Sequence, residues 1–90
     1  MRRVVWTAEA VADLDSIHAY IEQFNPSAAR RLGGRLIATA ATLADHAERG
    51  RLVAGGYREL AIIHPYLIRY GIEGDTVFVL RCWHGARGSI

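Results

Sequence analysis

The sequence predicts an α+β fold in the order β-α-α-β-β-β, with a helical hairpin packed on one face of a small antiparallel sheet. Three observations carry this expectation. Two runs rich in β-branched and aromatic residues, Tyr66 to Ile72 and Thr76 to His84, flank a turn at Glu73-Gly74-Asp75 and read as an antiparallel hairpin. Upstream, two segments with apolar residues at helical spacing follow one another with almost no linker, as in a helical hairpin. The later strands collect after the helical pair, which favours segregated layers over alternating βα units.

In chain order, Val4-Val5-Trp6 is a β-prone run suited to a first strand. Thr7 is placed to cap a helix, with Glu9 favourable in its first turn. Val11, Leu14, Ile17, Ile21 and Phe24 then form an apolar stripe, leaving Asp13, Asp15 and Glu22 for solvent. His18 borders the stripe as an edge-of-core residue. Asn25-Pro26 ends this helix and starts the next, since proline disfavours α geometry before it and suits the first helical position. The second helix carries Ala29, Leu32, Leu36, Ala40 and Leu43 on one face, and Arg30, Arg31 and Arg35 on a solvated one. Gly33-Gly34 in its middle lowers helix propensity, which predicts close approach of another backbone. Residues 47–56 read as a glycine-punctuated loop, Tyr57 to Ile62 as a strand, and His64-Pro65 as the turn into the final hairpin.

Ninety residues make one domain, 1–90, with a modest core, and 51% hydrophobic residues argue against disorder. No apolar run approaches the roughly 20 residues that span a bilayer, and the basic N-terminus is broken by Thr7, Glu9 and Asp13. Cytoplasmic location without membrane contact is therefore expected. The single cysteine, Cys82, allows no internal disulfide and reads as a buried reduced thiol. All eleven basic residues are arginine, and they outnumber acids chiefly from Arg49 onward. A planar guanidinium suits phosphate or carboxylate recognition, so nucleic acid or an acidic protein is a fitting partner. No metal cluster, phosphate-cradling loop or Ser-His-Asp set is present, and no cofactor is expected.

Several strings in order resemble the RelE/ParE superfamily of type II toxin–antitoxin toxins, and its ParE-like branch in particular. They are Trp6-Thr7 with Ala10, Asp13-Leu14 and Ile17; Tyr20-Ile21; Asn25-Pro26 with Ala28-Ala29; Gly50-Arg51; Arg58-Glu59-Leu60; Tyr66-Leu67-Ile68-Arg69-Tyr70; and His84-Gly85-Ala86-Arg87. Ala47 stands where relatives often have proline. The resemblance implies a toxin neutralised by a cognate antitoxin, meeting operator DNA only through that antitoxin, as in plasmid-stabilisation modules. It implies growth inhibition by binding DNA gyrase. The RelE-like alternative is a ribosome-dependent endoribonuclease cutting messenger RNA, and a third reading is a degenerate, non-toxic antitoxin-binding member.

Cleaving RNA through its 2′-hydroxyl needs a base, an acid and positive charge on the phosphate. His84, Glu59, Arg69 and Arg81 are the residues that would supply them if the chain were a nuclease. RNA-cleaving relatives usually carry an arginine at the position of Leu67; Arg69 lies on the same strand face but about 6–7 Å away. The expectation is therefore a binding toxin without catalytic residues, gripping its target with Arg58, Arg69, Arg81, His84 and Arg87. Arg58 with Glu59, and Arg69 with Glu73, are possible surface pairs; Arg81 must reach an acid or an open surface. The hairpin register, and so which arginines share a face, is left open.

Overall fold

The computed structural model describes residues 1–85. Strand β1 (Arg3–Trp6) is followed by helices α1 (Ala8–Glu22) and α2 (Pro26–Ala41) and a short 3-10 turn. Then come β2 (Arg51–Leu52), a second 3-10 turn, β3 (Arg58–Ile63), β4 (Tyr66–Glu73) and β5 (Thr76–His84). The helices pack on one face of a five-stranded sheet of order β1-β5-β4-β3-β2.

The α+β layering matches the expectation, with two corrections to the sheet. It is mixed, because β1 runs parallel to β5 with Val4 opposite Val77 and Trp6 opposite Val79. That direction is fixed at both ends by the N–H groups of Arg3 and Thr7, which donate to Asp75 O and Val79 O. It delivers the chain at Thr7 to the layer where α1 covers β5. The second correction is β2, two residues inside the expected loop, which pair with Arg58 and Glu59 of β3.

Thr7 caps α1 as its sequence position predicts, accepting from Ala10 N at 3.2 Å while donating to Leu80 O at 3.1 Å. One side chain thus starts the helix and ties it to β5. The buried stripe is Ala10 and Ile17, with Leu14 and Ile21 packed beside them. Val11 and Phe24, expected in that stripe, are 44% and 73% exposed. The four-three-four spacing from Ala10 follows the helical period, whereas Val11 is rotated about 100° off it and Phe24 lies past the helix end.

Asn25 accepts from Ala28 N at 3.0 Å and Pro26 opens α2. Ala29, Leu36 and Ala40 are buried, and Leu43 follows in the 3-10 turn. The expected compensation for Gly33-Gly34 is not found among the described residues: a Cβ on either glycine meets none of their atoms within 4 Å beyond its own helix turn. Replacing Gly34 by Ala is therefore expected to stabilise the fold by about 1 kcal/mol in urea unfolding.

The β4–β5 hairpin closes through Gly74-Asp75, with Gly74 at φ +60, a conformation suited to glycine. Its helix-facing side carries Tyr66, Ile68, Tyr70, Val77, Val79 and Cys82, all buried. The register shifts once: Arg69 pairs with Arg81 but Tyr70 with Val79, so Leu80 is an extra residue forming a bulge.

Candidate functional site

The sheet face opposite the helices is composed by strand alternation and cross-strand register. Ala61, Leu67 and Trp83 form one row across β3, β4 and β5. Glu59, Arg69 and Arg81 form the next. Gly71 and Phe78 follow, with the bulge residue Leu80 beside them. The face thus reads apolar, charged, apolar. A cleft of about 460 Å³ lies over Tyr57, Gly71, Phe78 and Leu80, and a second of about 330 Å³ over Ala61, His64, Pro65 and Leu67.

Glu59 is the hub of the charged row. Its carboxylate accepts from Arg69 Nε at 3.0 Å and Nη2 at 2.6 Å, and from Arg51 Nη2 at 3.3 Å. The Arg69 guanidinium also stands 5.5 Å from the centre of the Trp83 ring, a cation–π arrangement. Two arginines on one acid leave the cluster with a net positive charge, held rigid by a carboxylate side chain only 10% exposed. Arg69 thus pairs across the strands with Glu59, in place of the sequence-local pairing with Glu73.

Arg81 aligns with Arg69, yet its guanidinium reaches helix α1. Its Nε and Nη2 donate to the two oxygens of Asp13 at 2.7 and 3.0 Å, and Cys82 N donates to the same carboxylate at 2.9 Å. Beyond Trp6, β1 no longer covers this edge of β5, and Asp13 supplies the missing acceptor. Asp13 is therefore not the solvated residue its position suggested. Burial pushes its pKa up, but the Arg81 hydrogen bonds, the Cys82 N–H and the Arg81 charge together bring it below the ordinary value. Its hydrogen bond, working against desolvation, raises the Arg81 value.

The remaining expected site residues are dispersed. Arg58 pairs with Tyr70 in register and so belongs to the helix-covered side, where its Nη1 donates to the carbonyls of Gly50 at 2.8 Å and Glu48 at 3.4 Å. It braces the loop rather than Glu59. His84 lies opposite Tyr66, sharing that buried side, with the two rings 5.2 Å apart edge to face. Arg87 lies outside the described residues. Among the described residues no group of three His, Cys, Asp or Glu side chains is placed to hold a metal ion, and no helix is long and apolar enough to cross a membrane.

The sequence reading missed Trp83, Arg51 and Tyr57 on or beside this face. Trp83 carried a usable signal, since it stands two residues from Arg81 on one strand. Arg51 carried none, because only the β2–β3 pairing brings it to Glu59.

Cys82 is 2% exposed, and burial followed by the Asp13 charge pushes its thiol pKa up to about 12. The folded protein at pH 8 is therefore expected to resist thiol-reactive dyes, with labelling following unfolding in a urea series.

The two-helix, five-strand arrangement is matched by solved structures. One described as a chromosomal ParDE toxin–antitoxin system from P. aeruginosa superposes with a TM-score of 0.83 at 24% identity, covering 93% of this chain and 96% of that one. The YafQ structure from E. coli strain BL21(DE3) gives 0.52 at 14% identity, over 97% of each chain. These establish the fold. Residues 4–88 match the family described as ParE toxin of type II toxin-antitoxin system, parDE. The chain belongs to this ParE toxin family. Among its relatives, Toxin RelE2 of Caulobacter vibrioides is 47% identical over 97% of this chain and 99% of the relative. Toxin RelE1 of the same organism is 35% identical over 91% of each. This ParE-family chain is accordingly the toxin of a type II module, and the family implies an antitoxin partner.

Proposed function

We propose that this toxin acts by binding, using the apolar–charged–apolar face of its sheet, and that its target is DNA gyrase. The observation that carries the reading is the separation of His84 from Glu59 and Arg69 onto opposite sides of the sheet. A nuclease needs its acid, base and phosphate clamp converging on one reacting centre. Here Glu59 is already engaged by two guanidiniums, so neither carboxylate oxygen is left to a substrate hydroxyl without breaking a pair. Arg81 is engaged by Asp13. What stays on the open face suits adhesion: a half-buried tryptophan, a positioned arginine and two depressions with apolar residues in their walls, the features of interface hot spots.

The ribosome-dependent endoribonuclease remains the second reading, favoured by the RelE names of the Caulobacter relatives. Gyrase supercoiling and cleavage-complex assays with purified toxin, run beside a translating extract probed for defined message cuts, separate the two. The binding reading expects gyrase inhibition without cuts. Trp83→Ala and Arg69→Ala are expected to weaken inhibition about tenfold or more, while His84→Ala leaves it intact. Unchanged gyrase activity, with message cuts abolished by His84→Ala, would transfer the assignment to the nuclease.

A further inference from the structure

We propose that the outer face of α2 docks on the phosphate backbone of duplex DNA through Arg30, Arg31 and Arg35, grouped around Gly34. Helix α2 contains these three arginines and no acidic residue. All three are exposed, and none forms an ion pair among the described residues; Arg31 reaches only Ser27 Oγ, at 2.6 Å. Arg51, Arg69 and Arg81 are different, since each is already held by a carboxylate.

The helical period gathers the three on one side. Arg30 lies one turn before Gly34, and Arg31 one turn before Arg35. Gly34, Ala38 and Ala41 continue that exposed side with small residues, and the half-exposed Ile37 borders it. The absent Cβ at Gly34 relieves no contact among the described residues, so what it permits is close approach from outside. Guanidinium forks match phosphate oxygens in pairs. Arg30 to Arg35 spans about 7.5 Å of helix axis, against a rise of about 3.4 Å between phosphates of one strand. The three forks therefore meet neighbouring phosphates.

The geometry favours DNA over RNA, because the wide major groove of B-form duplex admits a helix and the narrow one of A-form RNA does not. The adjacent α1 carries Glu9, Asp13, Asp15 and Glu22, of which Asp13 is already paired with Arg81 and Glu22 stands beside His18, leaving Glu9 and Asp15 exposed. It repels a polyanion and limits the contact to a strip one helix wide. Such a contact positions the protein without reading sequence. It departs from the expectation that the toxin meets operator DNA only through its antitoxin.

The test is a titration of purified toxin against a labelled DNA duplex, and an RNA duplex of the same sequence, between 50 and 200 mM salt. Three phosphate contacts predict an affinity for DNA that falls about 40-fold across that range. The triple variant Arg30→Gln, Arg31→Gln, Arg35→Gln should lose that salt-dependent binding while its circular dichroism stays native. Arg3→Gln, an exposed arginine of β1, should keep it. Gly34→Gln leaves the charge unchanged and should also lose binding, by holding the duplex away from the helix. Failure of the native chain to bind DNA at 50 mM salt overturns the proposal, as does a triple variant with native affinity and salt slope. Equal binding of the RNA duplex overturns the choice of DNA. A triple variant defective only in holding the antitoxin would assign the face to an acidic protein segment instead, and also overturns it.

Discussion

Tyr70→Phe is expected to destabilise the toxin by about 3 kcal/mol. The Tyr70 hydroxyl is wholly buried, donates to Ala47 O at 2.6 Å and accepts from Gly50 N at 2.8 Å. Removing it strands a carbonyl and an N–H away from water together. The effect reaches the open face through the loop. Gly50 O holds Arg58, and the next residue, Arg51, begins β2 and pairs with Glu59. Gly50 must lack a side chain here, since a Cβ would stand 2.7 Å from the tyrosine oxygen and 2.9 Å from Glu59 O. Urea unfolding measures the loss; an unchanged midpoint would show that the loop does not depend on this anchor.

Asp13→Ala ranks second, with an expected loss of about 2 kcal/mol, because it orphans the Cys82 N–H as well as releasing Arg81. Asp13→Asn keeps one acceptor and should lose less. The carboxylate's pKa is lowered in the folded state, so its contribution is fully present above the unfolded value of about 3.9 and declines as pH falls through the folded one. Acid unfolding of the native chain should therefore steepen below about pH 4, and Asp13→Asn should remove that part of the slope. Chemical denaturation from pH 2 to 7 reads both.

The helix boundaries were legible because their signals are local. Thr7 and Asn25 cap with their own side chains within three residues, and Pro26 and Gly74 act through their own backbones. The family resemblance was also legible from short strings in order, and the family match over residues 4–88 bears it out. The site was legible only in part. Arg69 lies on the open face, beside a Trp83 that the reading missed, but Arg58 turned to the loop, Arg81 to α1, and His84 to the buried side.

One residue explains much of that difference. Alternation from Val77 and Val79 would place Arg81 and Trp83 in the core, an untenable position for an arginine. The bulge at Leu80 shifts the phase, so that Cys82 takes the buried position opposite Ile68 and Trp83 emerges beside Arg69.

By itself, then, the chain's sequence determined two capped helices, a glycine-turned hairpin and an apolar side for each, because those depend on contacts within a few residues. Tertiary structure alone decided the parallel seat of β1, the bulge, and the partners chosen by Asp13 and Glu59. Those join residues up to 73 positions apart, as where Arg3 of β1 lies opposite Thr76 of β5, and distant pairing is set by which buried polar groups would otherwise go unsatisfied.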